Sequence, residues 1–238
     1  MKYPRTFHIP NSPGCTSDDK IHSNLNWMIG RDCVITEKMD GENTTMTSEH
    51  IHARSLDSRN HPSRNWAKQF HANIAYQIPE NFRICGENLY ARHSLAYHSL
   101  KSFFYGFSVW NGETALSWDE TLEWFEILGI QPVTQLYRGI LSQKVIENQI
   151  KNLDMIVQEG FVIRLASSFQ HADFKHSVVK YVRANHVISD THWMHSTIIP
   201  NELMPDDPWE NGTFGRDENH VVVVNSIHEE ALNKVFKR

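Results

Sequence analysis

The stretch VITEKMDGENTTM, residues 34–46, constrains the fold of this chain more than any other. An apolar run leads to Lys38, and an Asp-Gly pair follows at Asp40 and Gly41, which predicts a strand that ends in a tight turn. Glycine permits such a turn without a Cβ penalty. Because positions two apart on an extended strand share a face, we expect the Lys38 amine and the Asp40 carboxylate to line one cavity.

Two interpretations of this stretch are open. An Asp-Gly pair between two β-like runs is a strong hairpin signal, and a lysine beside it is commonly a solvated side chain. Alternatively, Lys38 is a nucleophile, which requires neighbouring cations or a desolvated pocket to depress the pKa of its amine. The choice depends on the motifs in the rest of the chain.

The composition is that of one soluble globular domain. The chain has 238 residues, of which 40% are hydrophobic and 21% charged, and this length leaves little room for two full domains. No apolar run approaches the roughly 20 residues of a membrane helix, and we find no signal-peptide pattern, so we expect no membrane association. The three cysteines are far apart and form no Cys-x-x-Cys pair, which favours reduced thiols and a cytoplasmic location.

The formal net charge of −5 argues against nucleic-acid binding by bulk electrostatics. Any such binding must use a local basic surface. The candidate cations are Arg54, Arg59, Arg64, Arg92, Lys101, Lys175, Lys180 and Arg183. Most of the fifteen histidines are expected at the surface. His186, His192 and His195 would bind a metal only if the fold brought them together, and their spacing matches no standard zinc pattern.

Short turn-bounded apolar runs predict an α+β fold in which antiparallel strands predominate. The predicted strands cover residues 33–38, 43–47, 51–54, 82–87, 103–110, 132–137, 161–165 and 177–182. Residues 1–30 are rich in turn-forming residues and predict an irregular N-terminal wrap. Residues 201–219 predict a polar loop before a last strand at 221–224 and a short helix at 229–236.

Helices are expected to interrupt the strands. The predicted helices cover residues 64–77, 117–128 and 141–153. The first places Trp66, Phe70, Ile74 and Tyr76 near one face. The second is the best defined, because Ser117 and Glu120 form a capping box and Gly129 stands just past its end.

Lys-x-Asp-Gly after a strand, at residues 38–41, resembles the nucleotide-binding motif of the covalent nucleotidyltransferase superfamily. That superfamily contains the ATP-dependent DNA and RNA ligases and the mRNA capping enzymes. In that superfamily, the lysine attacks the α-phosphate of a nucleoside triphosphate. Pyrophosphate leaves, and the nucleotide stays covalently bound to the lysine. The resemblance implies that Lys38 is a nucleophile whose pKa is depressed by an electropositive pocket, which Lys180 and a metal ion supply.

Further motifs follow in the order that this resemblance implies. IHARSLDSRNHPS resembles the segment that supplies an arginine to the ribose or a phosphate, with Arg54 best placed and Arg59 the alternative; a surface arginine beside a turn is equally compatible with it. FRICGENLYARHSL resembles the motif whose glutamate, here Glu87, contacts the ribose hydroxyls or the metal waters. Its longer form GENLYARHS is similar to RNA ligases in particular, and implies that Arg92 meets a phosphate.

FFYGFSVWNG resembles the strand whose phenylalanine stacks on the purine. Phe107 aligns best and Phe104 is the alternative, although aromatic residues on alternating strand positions are also typical of a core. Ser108 stands where many relatives have aspartate. QEGFVIRL resembles the motif whose glutamate, here Glu159, holds the catalytic metal through water.

HSVVKYVRANH resembles the last motif of the ligase pocket, in which lysines contact the α-phosphate. Lys180 fits the first of these lysines. Val182 stands where the second is expected, and Arg183 is the nearest cation, which implies a role on the RNA phosphate or the pyrophosphate. On an ideal strand Arg183 points away from the face of Lys180, so it joins the pocket only if the chain bends or bulges.

Taken together, these motifs identify the chain as a member of the ATP-dependent RNA ligases. The resemblance implies a nucleotidyltransferase domain, the ATP-grasp-like catalytic domain of ligases, built of antiparallel sheets flanked by helices. It assigns catalysis to Lys38, Asp40, Glu159 and Lys180. It assigns nucleotide binding to Glu37, Lys38, Arg54, Glu87, Phe107 and Lys180, where Glu37 accepts a hydrogen bond from the adenine amine. It assigns metal binding to Asp40, Glu87 and Glu159, and RNA contacts to Arg59, Arg92 and Arg183.

The implied cofactors are ATP and Mg²⁺ or Mn²⁺, and the implied partner is RNA with 5′-phosphate and 3′-hydroxyl ends. We expect one monomeric domain over residues 1–238, with a wrap at 1–32 and an extension at 184–238 that is too short for an oligonucleotide-binding barrel. A DNA ligase or another nucleotidyltransferase is the main alternative. An inactive nucleic-acid-binding relative is the second.

Overall fold

Two β-sheets form the framework of the computed structural model, which describes residues 1–55, 60–184 and 197–205. The strands are β1 (Phe7–His8), β2 (Asp32–Lys38), β3 (Glu42–Met46), β4 (Ile51–Ala53), β5 (Phe82–Asn88), β6 (Phe104–Asn111), β7 (Thr114–Ala115), β8 (Gln131–Pro132), β9 (Gln135–Ile140), β10 (Gly160–Leu165), β11 (Phe169–Gln170) and β12 (Val178–Val182). The α-helices are α1 (Asn65–Ile74), α2 (Trp118–Leu128) and α3 (Gln143–Asn152). Short 3-10 turns cover Pro62–Arg64, Ala75–Gln77 and His171–His176.

The first sheet has the strand order β1-β12-β10-β2-β9, and the second has the order β11-β7-β6-β5-β3-β4 with β8 added beside β6. Among the described strands, β1 with β12 and β6 with β8 pair in parallel, and all other pairs are antiparallel. The predicted α+β fold of mainly antiparallel sheets is therefore confirmed.

The single strand predicted at residues 132–137 is wrong, because the chain changes sheets there. β8 ends at Pro132 and pairs with β6 in the second sheet, whereas β9 begins at Gln135 and pairs with β2 in the first. Proline has no N–H to donate to a continuing ladder. The crossing places Val133 and Thr134 between the two sheets, beside the end of β2.

Helices α1 and α2 pack on the second sheet through one buried apolar cluster, where each large side chain contributes about 1.5–3 kcal/mol. The cluster includes Phe70, Ile74, Ile84, Phe104 and Phe125. The sequence pattern placed Tyr76 on the same face, but its side chain is 84% exposed. The reason is that α1 ends at Ile74 and a 3-10 turn follows, which changes the angular spacing of the next residues.

The N-terminal wrap runs along β12. Ile9 N donates to Lys180 O (2.9 Å) and Gly14 N donates to Val182 O (2.9 Å). Ser12 Oγ accepts a hydrogen bond from Val182 N at 3.0 Å. These contacts are tertiary, so turn-forming residues alone could predict irregular structure here but not where the wrap lies.

Several sequence predictions concern residues outside the described ranges. They include Arg59, the cluster of His186, His192 and His195, the strand at 221–224 and the helix at 229–236. In the described ranges, none of the helices has the length and apolar character needed to cross a membrane.

The capping box predicted for α2 is confirmed. Ser117 Oγ accepts from Glu120 N (3.3 Å), and the Glu120 carboxylate accepts from Ser117 N (2.9 Å). Gly129 ends the helix in the left-handed conformation, with φ 63°, which favours glycine. Local sequence therefore fixes both ends of the helix.

We expect Ser117→Ala to lower the free energy of unfolding by about 1 kcal/mol, because the substitution removes the side-chain acceptor at the helix N-terminus. Urea unfolding followed by circular dichroism measures the change. Ser99→Ala, which alters an exposed serine outside any helix, is the control. Equal stability of the two variants would contradict the assigned role of Ser117.

Candidate active site

A cavity of about 280 Å³ opens at the end of β2, and its walls come from both sheets and the N-terminal wrap. The first sheet contributes Thr36, Lys38, Val162, Arg164, Val178 and Lys180; the second contributes Asn43, Glu87, Phe107 and Ser108. Strand register explains the first wall. Val162 is the Cα partner of both Thr36 and Lys180, so side chains of three neighbouring strands form one row.

The Lys38 amine forms an ion pair with the carboxylate of Glu159. Lys38 is the last residue of β2 and pairs with Gly160, which brings Glu159 alongside. On the other side of β10, a Cβ on Gly160 would lie 1.9 Å from Tyr181 O of β12, so only glycine permits β12 to approach β10 there. The Glu159 side chain is buried, whereas 25% of the Lys38 side-chain surface is accessible. The amine is therefore reachable from the cavity.

Carboxylates rather than cations dominate the surroundings of Lys38. Burial alone would lower the pKa of Lys38, but the negative charges of Glu159 and Glu87 outweigh burial and the pKa is raised. Lys180 by itself does not depress this pKa, because Lys180 is itself paired with Asp19. The depression expected from Lys180 together with a metal ion stays a prediction.

Glu87 brings a second carboxylate to the cavity, on β5 opposite Asn43. Burial raises the pKa of Glu87 to about 8; Lys38 opposes this rise, while the charges of Glu159 and Asp40 add to it. The neighbouring carboxylates of Glu87 and Glu159 suit a hard divalent ion such as Mg²⁺, which prefers oxygen ligands. The donor set therefore fits such an ion, with Glu87 and Glu159 as the residues that would hold it.

Asp40 lies outside the set of described residues that line the cavity, and its expected place beside Lys38 stays a prediction. The alternation of side chains stops because β2 ends at Lys38. The Asp40 carboxylate instead accepts hydrogen bonds from Ser94 N (2.8 Å), Ser94 Oγ (2.6 Å) and Leu95 N (2.8 Å). Asp40 thus fastens the loop after β5 to the end of β2.

Residues 197–205 hold the same loop from its other side. Asn201 N donates to Tyr90 O (2.9 Å) and Asn201 Nδ2 donates to Leu89 O (2.7 Å). Asn201 Oδ1 accepts from Tyr97 N at 2.9 Å. The sequence indicated only a polar loop here, and no local signal distinguishes this buried asparagine from an exposed one.

Phe107 reaches the cavity through a β-bulge. Cys85 pairs with Ser108 and Gly86 pairs with Gly106, so Phe107 is the extra residue between two successive pairs. Bulges re-aim side chains in this way. The alternative candidate in the sequence, Phe104, is buried in the cluster beneath α1 and α2.

Glu37 and Arg54 also line the cavity. Burial raises the pKa of Glu37. Burial lowers the pKa of Arg54, and the charge of Arg5 adds to this lowering. Arg54 Nε donates to Tyr3 O at 3.4 Å, so the N-terminal wrap helps to place it. Both side chains are partly withdrawn from water in the space that a ligand would fill.

Lys180 lines the cavity and pairs with Asp19 of the N-terminal wrap, with 3.2 Å between Nζ and Oδ1. Asp19 is held in turn by Thr16, whose N and Oγ1 donate to its carboxylate at 3.1 and 3.0 Å. Burial lowers the pKa of Lys180 despite the Asp19 charge, and Lys38 adds to the lowering. Sequence reasoning missed Asp19, because its position depends on tertiary contacts of the wrap.

Arg164 is a buried cation in the cavity wall that sequence reasoning also missed. Its Nε donates to Leu165 O (3.1 Å) and its Nη2 donates to Leu116 O (2.6 Å). The guanidinium lies 5.4 Å from the ring centroid of Phe169 and 5.6 Å from that of Trp118. Burial lowers the pKa of Arg164 to about 10. A charged residue in the otherwise apolar run FVIRL was the signal that could have identified it.

Two of the arginines expected to contact RNA, Arg92 and Arg183, are held by backbone hydrogen bonds away from the described cavity wall. Arg92 N donates to Ile199 O (2.8 Å), and Arg183 N donates to Glu159 O (2.9 Å). Neither side chain belongs to the described cavity wall. Arg183 stays outside because β12 ends at Val182 without turning the next side chain inward. Arg59 lies outside the described residues.

Comparisons with known proteins bear on the family and the fold of the chain. A family model described as RNA ligase matches residues 31–182, more than half of the chain. No curated protein matches the sequence. An archaeal ATP-dependent RNA ligase has a TM-score of 0.51 and 16% identity, over 76% of this chain and 48% of that one.

Two further solved structures are similar. A putative ATP-dependent DNA ligase from Aquifex aeolicus has a TM-score of 0.50 and 18% identity, over 76% of this chain and 50% of that one. A Naegleria gruberi RNA ligase with ATP and Mn has a TM-score of 0.49 and 15% identity, over 67% of this chain and 51% of that one. The chain thus spans about half the length of the solved ligases it matches.

At these identities the archaeal and Aquifex structures show the fold alone, which is the expected nucleotidyltransferase fold of ligases. The family-model match goes further, because it covers the strands that bring Lys38, Glu87, Glu159 and Lys180 together. On that match, the chain belongs to the RNA ligase family.

Proposed function

We propose that this chain is an ATP-dependent RNA ligase, which joins an RNA 5′-phosphate to a 3′-hydroxyl through lysine-AMP and RNA-adenylate intermediates. One observation carries the proposal: an accessible lysine, Lys38, contacts a buried glutamate in a cavity that also contains Glu87 and Lys180. A nucleophile, carboxylates for a metal ion and a cation for a phosphate are the parts that nucleotidyl transfer requires. We also propose that residues 1–238 form one adenylyltransferase domain.

In the first step, Lys38 Nζ attacks the α-phosphorus of ATP. A nitrogen–phosphorus bond forms, the bond to the β-phosphate oxygen breaks, and pyrophosphate leaves. The Lys38 ammonium must lose a proton before attack, and Glu159 is the carboxylate that contacts it. Mg²⁺ or Mn²⁺ held by Glu87 and Glu159 would supply positive charge that offsets the carboxylates raising the pKa of Lys38.

Other residues of the cavity would bind and orient the nucleotide. Phe107 offers an aromatic face for the purine, and Glu37 accepts a hydrogen bond from the adenine amine. Arg54 reaches the ribose or a phosphate. Lys180 exchanges Asp19 for the α-phosphate, where its charge stabilises the transition state. Catalysis in this scheme comes mainly from positioning and electrostatics.

The later steps use RNA. The RNA 5′-phosphate attacks the AMP carried by Lys38, which frees the lysine, and the 3′-hydroxyl of the other end then attacks the activated phosphate and releases AMP. Arg59, Arg92 and Arg183 are the proposed contacts for the RNA backbone. Arg92 and Arg183 lie beside the cavity rather than in its wall, which suits a polymer that must reach the cavity from outside.

Purified protein incubated with labelled ATP and Mg²⁺ is expected to form a covalent AMP adduct, and Lys38→Ala is expected to abolish it because the scheme requires a phosphoramidate at that amine. Gel labelling and intact mass measure the adduct. Lys144→Ala, which alters an exposed lysine on α3, should label normally. Undiminished labelling of Lys38→Ala, or labelling by GTP in place of ATP, would refute the proposal.

Nicked duplexes with RNA at the 3′-hydroxyl side should be sealed at least about tenfold faster than all-DNA nicks, because a 2′-hydroxyl contact worth about 1.4 kcal/mol has that effect. Rates are compared with protein already carrying AMP, so that ATP binding does not contribute. Matched substrates differ only in the sugar of the terminal nucleotide. Equal sealing of both would favour a DNA ligase.

Lys180→Ala is expected to slow adduct formation by about 10²–10³-fold, as the loss of one transition-state contact does. Arg183→Ala should leave adduct formation unchanged, because its side chain lies outside the cavity wall, and should slow the sealing of pre-adenylylated RNA. Single-turnover labelling and sealing assays separate the two steps. Full activity of Lys180→Ala in both assays would remove Lys180 from the phosphate site.

A further inference from the structure

Three side chains of the N-terminal wrap, His8, Cys15 and Asp19, form a cluster that RNA ligation does not require. One ligand atom from each lies within 4.8 Å of the other two. We propose that this cluster binds a divalent cation of the Zn²⁺ class, at a site separate from the carboxylates beside Lys38. Asp19 also lines the nucleotide cavity, so the ion would lie at its wall.

The donor set decides which ion fits. An imidazole, a thiolate and a carboxylate are ligands that Zn²⁺ takes, with a fourth tetrahedral position left for water. Mg²⁺ and Ca²⁺ prefer oxygen ligands throughout and would not select a cysteine. Bond lengths of about 2.0–2.3 Å place tetrahedral ligand atoms about 3.3–3.8 Å apart, so closure around the ion needs side-chain shifts of roughly 1 Å.

The backbone already brings the ligands together. His8 lies in β1 and is the Cα partner of Lys180 on β12. His8 N donates to Lys20 O (2.7 Å), and His22 N donates to His8 O (2.9 Å), which holds the chain next to Asp19 against β1. Most of the ordering that a metal site requires is therefore present in the protein without an ion.

The imidazole of His8 is oriented by a neighbouring hydroxyl. His8 Nδ1 lies 2.8 Å from Ser12 Oγ. Ser12 Oγ accepts from Val182 N (3.0 Å) and donates to Val182 O (3.4 Å). Ser12 thereby fixes the orientation of the ring, and Nε2 lies 3.4 Å from Asp19 Oδ1. Such a second hydrogen bond orients metal-binding histidines in general.

Lys180 competes with the ion for Asp19. Its Nζ lies 3.2 Å from Asp19 Oδ1, so a cation bound by Asp19 would meet a positive charge nearby. Metal affinity should therefore increase when Lys180 loses its charge. A purely structural role for the His8, Cys15 and Asp19 side chains would not produce this dependence.

The test is a titration of the full chain with Co²⁺, without ATP or RNA, followed by the thiolate-to-cobalt charge-transfer absorption and by displacement with Zn²⁺. We expect one equivalent to bind with that band. Cys15→Ser should abolish the band, and Asp19→Asn should weaken binding by about tenfold or more, as the loss of an orienting or ligating group does. Lys180→Ala should tighten binding several-fold.

Matched variants distinguish this cluster from the protein's other thiols and carboxylates. Cys33→Ala removes a thiol buried in the core and should keep the band. Glu87→Gln removes a carboxylate from the proposed Mg²⁺ site and should also keep it. Zn²⁺ should raise the thermal unfolding midpoint of the original protein but not of Cys15→Ser, and circular dichroism checks that each variant folds.

Two results would overturn the proposal: the original protein gives no thiolate band with saturating Co²⁺, or the band survives in folded Cys15→Ser. Neither result bears on RNA ligation, because the covalent adduct at Lys38 is measured separately. Conversely, a protein that makes no AMP adduct but shows the Cys15-dependent band would retain the metal site and lose the proposed function.

Discussion

The ion pair between Lys38 and Glu159 is the contact on which the rest of the site depends. It exists because β2 and β10 pair in one register, with Lys38 opposite Gly160. Only glycine fits at position 160, where a Cβ would lie 1.9 Å from Tyr181 O of β12 on the other side of β10. The same register places Thr36, Val162 and Lys180 in one row across three strands. A shift of the strand register by one residue would turn every one of these side chains to the opposite face of the sheet. The apolar core that fixes the register therefore also fixes which side chains line the cavity.

Both cavity lysines are paired with a carboxylate in the protein alone. Lys38 pairs with Glu159, and Lys180 pairs with Asp19. These pairs keep two cations stable in a partly desolvated cavity, since an unpaired buried charge is costly. In the proposed reaction they would oppose catalysis, because a nucleophilic amine must be neutral and a phosphate-binding lysine must leave its partner. Arrival of ATP with a metal ion would exchange both partners, which ties the activation of the amine to the presence of its substrate.

The sequence predicted those parts of the site that local patterns encode. β2 and Gly41 are close to Lys38 in the sequence, so a local pattern could predict the position of Lys38. Glu87 and Lys180 likewise stand on apolar strands that the periodicity of the sequence predicts. Asp40 is not part of the described cavity wall, because β2 and its alternation of side chains end at Lys38. The bulge at Phe107 depends on how β5 and β6 pair, and Asp19 depends on the path of the wrap along β12. Neither is encoded in the local pattern, whereas Arg164 was visible as a charge in an apolar strand and was overlooked.

The wrap carries more of the site than its composition suggests. Its residues Tyr3, Arg5 and Asp19 line the cavity, and backbone hydrogen bonds to β12 hold them there. Asp19 is the residue that the two proposals share, since its Oδ1 lies near both Lys180 Nζ and His8 Nε2. A carboxylate can neutralise only one full positive charge, so an ion at His8 and Cys15 would weaken its hold on Lys180. That competition would make the phosphate site more accessible whenever the metal site is filled.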